Sequence, residues 1–234
     1  MVWLLRRPPV LQVTEDETCR RLFRPSYLNM WKPKGNLSAM SALDDEKKAL
    51  RQQAAQTRKD AYAAWPNASQ MIASYAPILH DRFAPKLVAA YWPIRTEIDP
   101  IPLLSALCDL GGKSCLPATP QEGHPLRFYE WAQGDALIDG PYNTKEPAGT
   151  GPGVKPDLIL APLLAFDDHC WRLGYGGGFY DRTIAALSAA NHRAYIVGVA
   201  FDESCVAKVP IGPFDKQLSA ILTPSGVRHP TDEI

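Results

Sequence analysis

Residues 172–181 read Arg-Leu-Gly-Tyr-Gly-Gly-Gly-Phe-Tyr-Asp, with four glycines in five positions. They follow an apolar run of strand type and lead into a helical pattern, so the chain must pass from strand to helix through an unusually bare turn. Without Cβ atoms the backbone amides stay uncovered, and the next helix aims its partial positive end at the same place. Arg172 offers a planar cation suited to phosphate, and Asp181 a carboxylate to which Mg2+ could bridge. The other reading is a glycine turn under tight strand–helix packing. Two standard phosphate loops do not fit. GxGxxG would need glycine at Phe179, and the GK[ST] tail at Gly112-Lys113-Ser114 has Leu107 where its leading glycine belongs.

Short apolar runs and helical patterns alternate along the chain. Leu43, Leu50, Ala54, Ala61 and Trp65 recur at seven and four, predicting an amphipathic helix stopped by Pro66, with Ser41 and Asp44 as a capping arrangement at its start. A second helix is expected over 67–83, disturbed at Pro77. Leu87–Tyr91 has strand length, and Asp99-Pro100 opens a helix that ends at Gly111-Gly112. Strands are expected at 114–117, 126–131, 158–161, 195–201 and 218–223, with a helix at 179–190 and a loop at 147–156. This order predicts a single α/β domain, a mostly parallel central sheet flanked by helices, with a ligand site at the carboxyl ends of the strands.

The balance of 25 Lys and Arg against 25 Asp and Glu gives no global basic field, which argues against nucleic acid as a partner. The longest apolar stretch, Leu158–Phe166, is interrupted by Pro162 and too short to span a membrane. The five cysteines form no CxxC pair, and reduced thiols in a cytoplasmic protein are expected. Residues 1–40 carry seven basic and three acidic residues without a sustained period. They read as a disordered leader, an overlong start, or a basic arm for RNA or another partner, with residues 41–234 forming the folded α/β domain.

Other constellations add to the glycine segment. Lys47, Arg51 and Arg58 fall within about 40° of one another on a helix. That stripe can hold phosphates or form a solvated face beside Asp44, Asp45 and Glu46. In Tyr91-Trp92-Pro93-Ile94-Arg95-Thr96-Glu97, an aromatic and a carboxylate just past a strand suit a planar heterocycle, with stacking from one and acceptance of ring N–H bonds by the other. A core tryptophan with a surface glutamate is the alternative. The five histidines lack ligand spacing, and His169-Cys170 are neighbours in sequence, which suits a nucleophile–base pair poorly.

Taken in order, these segments resemble the 5-formyltetrahydrofolate cyclo-ligase family, also called 5,10-methenyltetrahydrofolate synthetases. The match runs from Lys47-Lys48-Ala49-Leu50-Arg51 through Tyr91–Glu97, Glu146-Pro147, Asp157-Leu158 with Pro162, Phe166-Asp167 and Arg172–Asp181 to Asp215. Leu163, Ser219 and Pro224 depart from the family pattern. The resemblance implies ATP- and Mg2+-dependent closure of 5-formyltetrahydrofolate to 5,10-methenyltetrahydrofolate through a phosphorylated formyl group, releasing ADP and phosphate. It implies ATP contacts from Lys47, Lys48, Ala49, Leu50 and Arg51, and from Arg172, Leu173, Gly174, Tyr175, Gly176, Gly177, Gly178, Phe179 and Tyr180. Trp92, Glu97 and the Tyr175–Phe179 loop would face the folate, and Asp181 and Asp215 would hold Mg2+ directly or through water. A monomer acting on small molecules is expected. A non-catalytic nucleotide- or folate-binding module of the same fold is the alternative.

Overall fold

The computed structural model describes residues 37–149 and 151–231, so all but the end of the 1–40 leader lies outside the described residues. The six expected strands and one further strand assemble into one sheet of seven. In chain order its members are β1 (Leu87–Ala89), β2 (Lys113–Ala118), β3 (Arg127–Glu130), β6 (Leu158–Pro162), β9 (Tyr195–Val199), β10 (Ala220–Thr223) and β11 (Gly226–Arg228). Their spatial order is β11-β10-β9-β6-β1-β2-β3. The five inner strands are parallel, and β3 and β11 close the two edges antiparallel.

The burial of β6 shows why a continuous apolar run becomes a central parallel strand. Leu158 and Leu160 face one core with Val88 and Val197, packed under Leu103 and Leu107 of α4 (Ile101–Asp109), Ile72 of α2 (Ala68–Ala73) and Leu79 of α3 (Ala76–Phe83). Ile159 and Ala161 face the opposite core with Ile196 and Ile221, beneath Leu187 of α5 (Phe179–Ala189). Successive residues serve opposite layers, so polar residues have no place in the run.

Counting only the parallel strands, the spatial order is second, first, third, fourth, fifth. The connection through α4 lies on one face and that through α5 on the other. Such a sheet opens a crevice where the winding reverses, beyond the carboxyl ends of its first and third strands. Here those are β1 and β6. The segments leaving them are 90–100 and 163–178, which hold the Trp92–Glu97 and glycine constellations.

Several expectations are corrected. Helix α1 spans Leu37–Ala64, so Ser41 is inside the helix and not its cap; leucine, alanine and methionine carry the helix upstream. The 67–83 segment breaks at Ser74-Tyr75, not at Pro77, which occupies the first turn of α3. A proline there cannot donate to the carbonyl four residues back, so the break falls one turn earlier. Two small hairpins were not foreseen: β4 (Ile138–Asp139) with β5 (Lys145–Glu146), and β7 (Ala165–Phe166) with β8 (Arg172–Leu173). Edge strand β11 was not foreseen either. No helix among the described residues is long and apolar enough to cross a membrane.

Candidate functional site

Helix α1 lies across the crevice. Its basic stripe meets protein groups, so the solvated-face reading does not hold. Lys47 Nζ pairs with Asp215 Oδ2, an oxygen that also accepts from the Gly212 N–H at 2.6 Å. Arg51 Nε donates to the Gly174 carbonyl at 2.9 Å. Arg58 is only 4% exposed, and its Nε donates to Thr96 Oγ1 at 3.2 Å. One helix face therefore touches the 212–215 turn, the glycine loop and the segment after β1.

Past β1 the chain turns sharply. Tyr91 is buried, with its hydroxyl donating to the Ile98 carbonyl at 2.6 Å. Glu97 is also buried, at 6% exposure, which overturns the surface-glutamate alternative. Its Oε2 accepts from the Ile94 N–H at 2.9 Å, while Oε1 is buried without a hydrogen-bond partner. Burial pushes the Glu97 carboxyl above its ordinary range, opposed in part by the Ile94 amide and the Arg58 cation. Trp92 is partly buried and meets Trp131 edge-on at 6.4 Å, so it belongs partly to the core and partly to the crevice wall.

The glycine loop joins β8 to α5. Gly176 (φ +102°) and Gly178 (φ +65°) need backbone conformations that L side chains rarely adopt. Gly178 is the N-cap of α5, and no side chain caps the helix. A Cβ on Gly174 would meet nothing within 4 Å, whereas one on Gly176 would lie 3.4 Å from the Arg51 guanidinium. The Tyr175 ring, 41% exposed, lies over Arg58 at 5.3 Å and Arg95 at 5.9 Å. Tyr180 is partly buried against the core under α5, and desolvation holds its hydroxyl well above the usual phenol range.

At the loop's two ends Arg172 and Asp181 meet each other. Arg172 Nη2 lies 2.9 Å from Asp181 Oδ1, and Nη1 donates to the Lys216 carbonyl at 2.8 Å. The Lys216 N–H donates to the same Asp181 oxygen at 3.0 Å. In this structure, then, both expected magnesium ligands are paired with expected ATP cations, Asp181 with Arg172 and Asp215 with Lys47. Among the described residues no group of three or more His, Cys, Asp or Glu gathers to form a metal cage. His169 and Cys170 do not form a nucleophile–base pair. The His169 ring contacts Thr231, and burial pushes the Cys170 thiol up to about 11.

Sequence reasoning missed three contributors. Arg182 donates to the Gly177 carbonyl at 2.7 Å and the His124 carbonyl at 3.2 Å, tying the glycine loop to the segment before β3. Lys216 links Arg172 and Asp181 through its backbone. Tyr142, 66% exposed, meets the Phe179 ring edge-on at 6.3 Å. Of these, only Arg182 carried a usable signal, an arginine one turn into a helix that begins in glycines. Glu146 proves to be a strut. Its carboxylate accepts from the Thr119 N–H and hydroxyl at 3.0 and 2.6 Å, fastening the β4–β5 hairpin to the end of β2.

A family model described as the 5-formyltetrahydrofolate cyclo-ligase family matches residues 43–224. The chain is 34% identical over 145 residues to a 5-formyltetrahydrofolate cyclo-ligase of Escherichia coli K12, covering 60% of this chain and 79% of that protein. It is 30% identical over 161 residues to one of Haemophilus influenzae, covering 66% and 84%. The NMR structure of a 5,10-methenyltetrahydrofolate synthetase from Aquifex aeolicus superposes with a TM-score of 0.63 at 26% identity, covering 80% of this chain and 94% of that one.

Proposed function

The chain belongs to the 5-formyltetrahydrofolate cyclo-ligase family, and on that premise we propose that it converts 5-formyltetrahydrofolate and MgATP to 5,10-methenyltetrahydrofolate, ADP and phosphate. The formyl oxygen attacks the γ-phosphorus of ATP and ADP leaves. The 10-nitrogen then bonds to the activated formyl carbon and releases its proton to solvent, and the carbon–oxygen bond breaks as phosphate departs. Phosphoryl transfer depends mainly on positioning and charge stabilisation, so cations and amides suffice without a nucleophilic triad.

In this reading Lys47 and Arg51 meet phosphate oxygens together with the amides of the glycine loop and the uncapped start of α5. Glu97 accepts pterin N–H bonds. The observation that carries the folate assignment is Glu97 Oε1, a buried carboxylate oxygen without a hydrogen-bond partner, facing Arg58 Nη1 at 3.6 Å. Such an atom is costly unless a ligand donates to it.

The residues suit Mg2+ carried on phosphates better than a resident ion. Mg2+ keeps several waters and takes one or two carboxylates plus substrate oxygens, and here Asp181 and Asp215 are the carboxylates available. MgATP brings an anion for Lys47 and a cation for Asp215 at once, so it can replace that pair without stranding either charge. When bound, the ion neutralises charge building up between the β- and γ-phosphates. All these residues come from one chain, and the reading takes the enzyme as a monomer acting on small molecules. Residues 41–234 supply every group it needs.

The test is to mix protein, 5-formyltetrahydrofolate and MgATP and follow the long-wavelength absorbance of the methenyl product, with ATP and Mg2+ omitted in turn. Product that depends on both is expected. Binding of both ligands without product would leave the non-catalytic module as the better reading.

A further inference from the structure

Arg58 has no role in the reading above, yet it has an unmet bond. Its Nη1 is buried without a hydrogen-bond partner, and so is Glu97 Oε1, 3.6 Å away. A buried arginine and glutamate this close would ordinarily close into a forked pair. Here each is held back by another contact. Thr96 Oγ1 takes Arg58 Nε at 3.2 Å, and the Ile94 N–H takes Glu97 Oε2 at 2.9 Å. What remains is one N–H donor and one carboxylate acceptor side by side, paired only loosely, with the partly exposed Tyr175 ring lying over the guanidinium and its hydroxyl interacting with both.

A donor beside an acceptor is the complement of a lactam edge, a ring C=O next to a ring N–H. We propose that Arg58 is a substrate-binding residue and that it reads, with Glu97, the lactam edge of the pterin. The ring N–H donates to Glu97 Oε1, the 4-oxo group accepts from Arg58 Nη1–H, and the Tyr175 ring moves aside to admit the heterocycle. This rests on the folate reading of the crevice. It adds a specificity, because a 4-amino ring reverses both positions. Its amino group would face the guanidinium donor and its unprotonated ring nitrogen the carboxylate. A site that hydrogen-bonds such groups rejects the mismatched analogue strongly.

The experiment measures Kd for 5-formyltetrahydrofolate and for its 4-amino counterpart by calorimetry on the wild type, Arg58→Lys and Arg58→Met. The MgATP affinity and melting temperature of each protein are recorded alongside. The wild type should prefer the 4-oxo ligand by at least about tenfold, as expected for mismatched buried hydrogen bonds. Arg58→Met should lose most of that preference through weaker 4-oxo binding, with MgATP affinity unchanged. Arg58→Lys keeps a countercharge for Glu97 and so guards against a folding failure. It should also lose preference, because an ammonium lacks the planar fork. An undiminished preference in either folded variant would overturn the proposal and leave Arg58 as a counterion for Glu97. An equal loss for both ligands would do the same. If the wild type bound neither pterin, the folate reading itself would fall, an outcome distinct from an unaltered ratio.

Discussion

Replacing Asp181 with asparagine separates two roles that coincide at one carboxylate. The structure makes Asp181 Oδ1 the meeting point of Arg172 Nη2 at 2.9 Å and the Lys216 N–H at 3.0 Å, with the Arg172 side chain 5% exposed and that of Asp181 23%. Asparagine keeps an acceptor oxygen but loses the charge. Hydrogen bonds to charged groups contribute about 1.5–3 kcal/mol and neutral ones about 0.5–1.5, so two bonds lose roughly 2 kcal/mol together. Leaving a buried guanidinium without its counterion adds to this, and outright removal of one partner of a buried pair costs about 3–5 kcal/mol. Partial exposure of Asp181 screens some of the effect, which puts the total at about 2–4 kcal/mol. For a domain of this size that lowers the melting temperature by roughly 4–16 °C. Thermal unfolding by circular dichroism measures it, and the Mg2+ concentration for half-maximal rate is determined on the same preparation. A melting temperature within about a degree of wild type, far below that shift, would refute the structural argument. A lowered melting temperature with an unchanged Mg2+ requirement would remove Asp181 from the metal and leave it as the clasp between the loop and Lys216.

Other perturbations probe the remaining parts of the crevice. Glu97→Gln should weaken 5-formyltetrahydrofolate by about 1–2 kcal/mol, roughly 5- to 30-fold, while MgATP binding in calorimetry stays the same. Burial raises the Glu97 carboxyl above its ordinary 4.5. Its neutral form therefore favours the fold at low pH, and that contribution is lost as pH rises through the raised value. Glu97→Gln should accordingly raise the melting temperature of the ligand-free protein more at pH 8 than at pH 5, and a uniform or absent gain would count against the sign. Gly174→Ala meets nothing within 4 Å in the protein, so an unchanged melting temperature with a several-fold higher KM for ATP is expected; an unchanged KM would move the phosphates elsewhere. Gly176→Val, at φ +102° and against Arg51, should lower both stability and ATP affinity, by about 1–3 kcal/mol in the former. A chain begun at Met40 should keep its turnover, since the first proposed ligand contact is Lys47, and loss of most activity would assign the preceding residues a role in the reaction.

What could be read from the sequence depended on where each residue's partner lies. The run at 158–161 announced a strand buried on both faces, because its composition is its environment. Asp99 was legible as a helix opener because its acceptor oxygen serves the N–H only two residues on, at Ile101. The glycine loop was legible because a turn that needs left-handed backbone at Gly176 and Gly178 announces itself by missing side chains. The small hairpins were not, since β7 and β8 are two residues each and held by tertiary packing. The fate of the carboxylates was not legible either. Nothing near Asp215 in sequence says that Lys47 will meet it, and nothing near Arg58 says that it will be buried beside Glu97. Tertiary contacts of that range decide whether a charge is solvated, paired or left waiting for a ligand.

The reach of α1 has a consequence for how the protein is made. Gly174 follows Arg51 by 123 residues and Asp215 follows Lys47 by 168. At about 5–20 residues per second on the ribosome, Lys47 exists for roughly 8–34 s before its partner does. The helix is suited to that interval: among its described residues the buried apolar ones are the alanines Ala54 and Ala61, and Gln56 and Asp60 brace its outer face at 2.8 Å. A helix whose buried apolar contribution is two alanines can join the sheet late, because little of the core's burial depends on it.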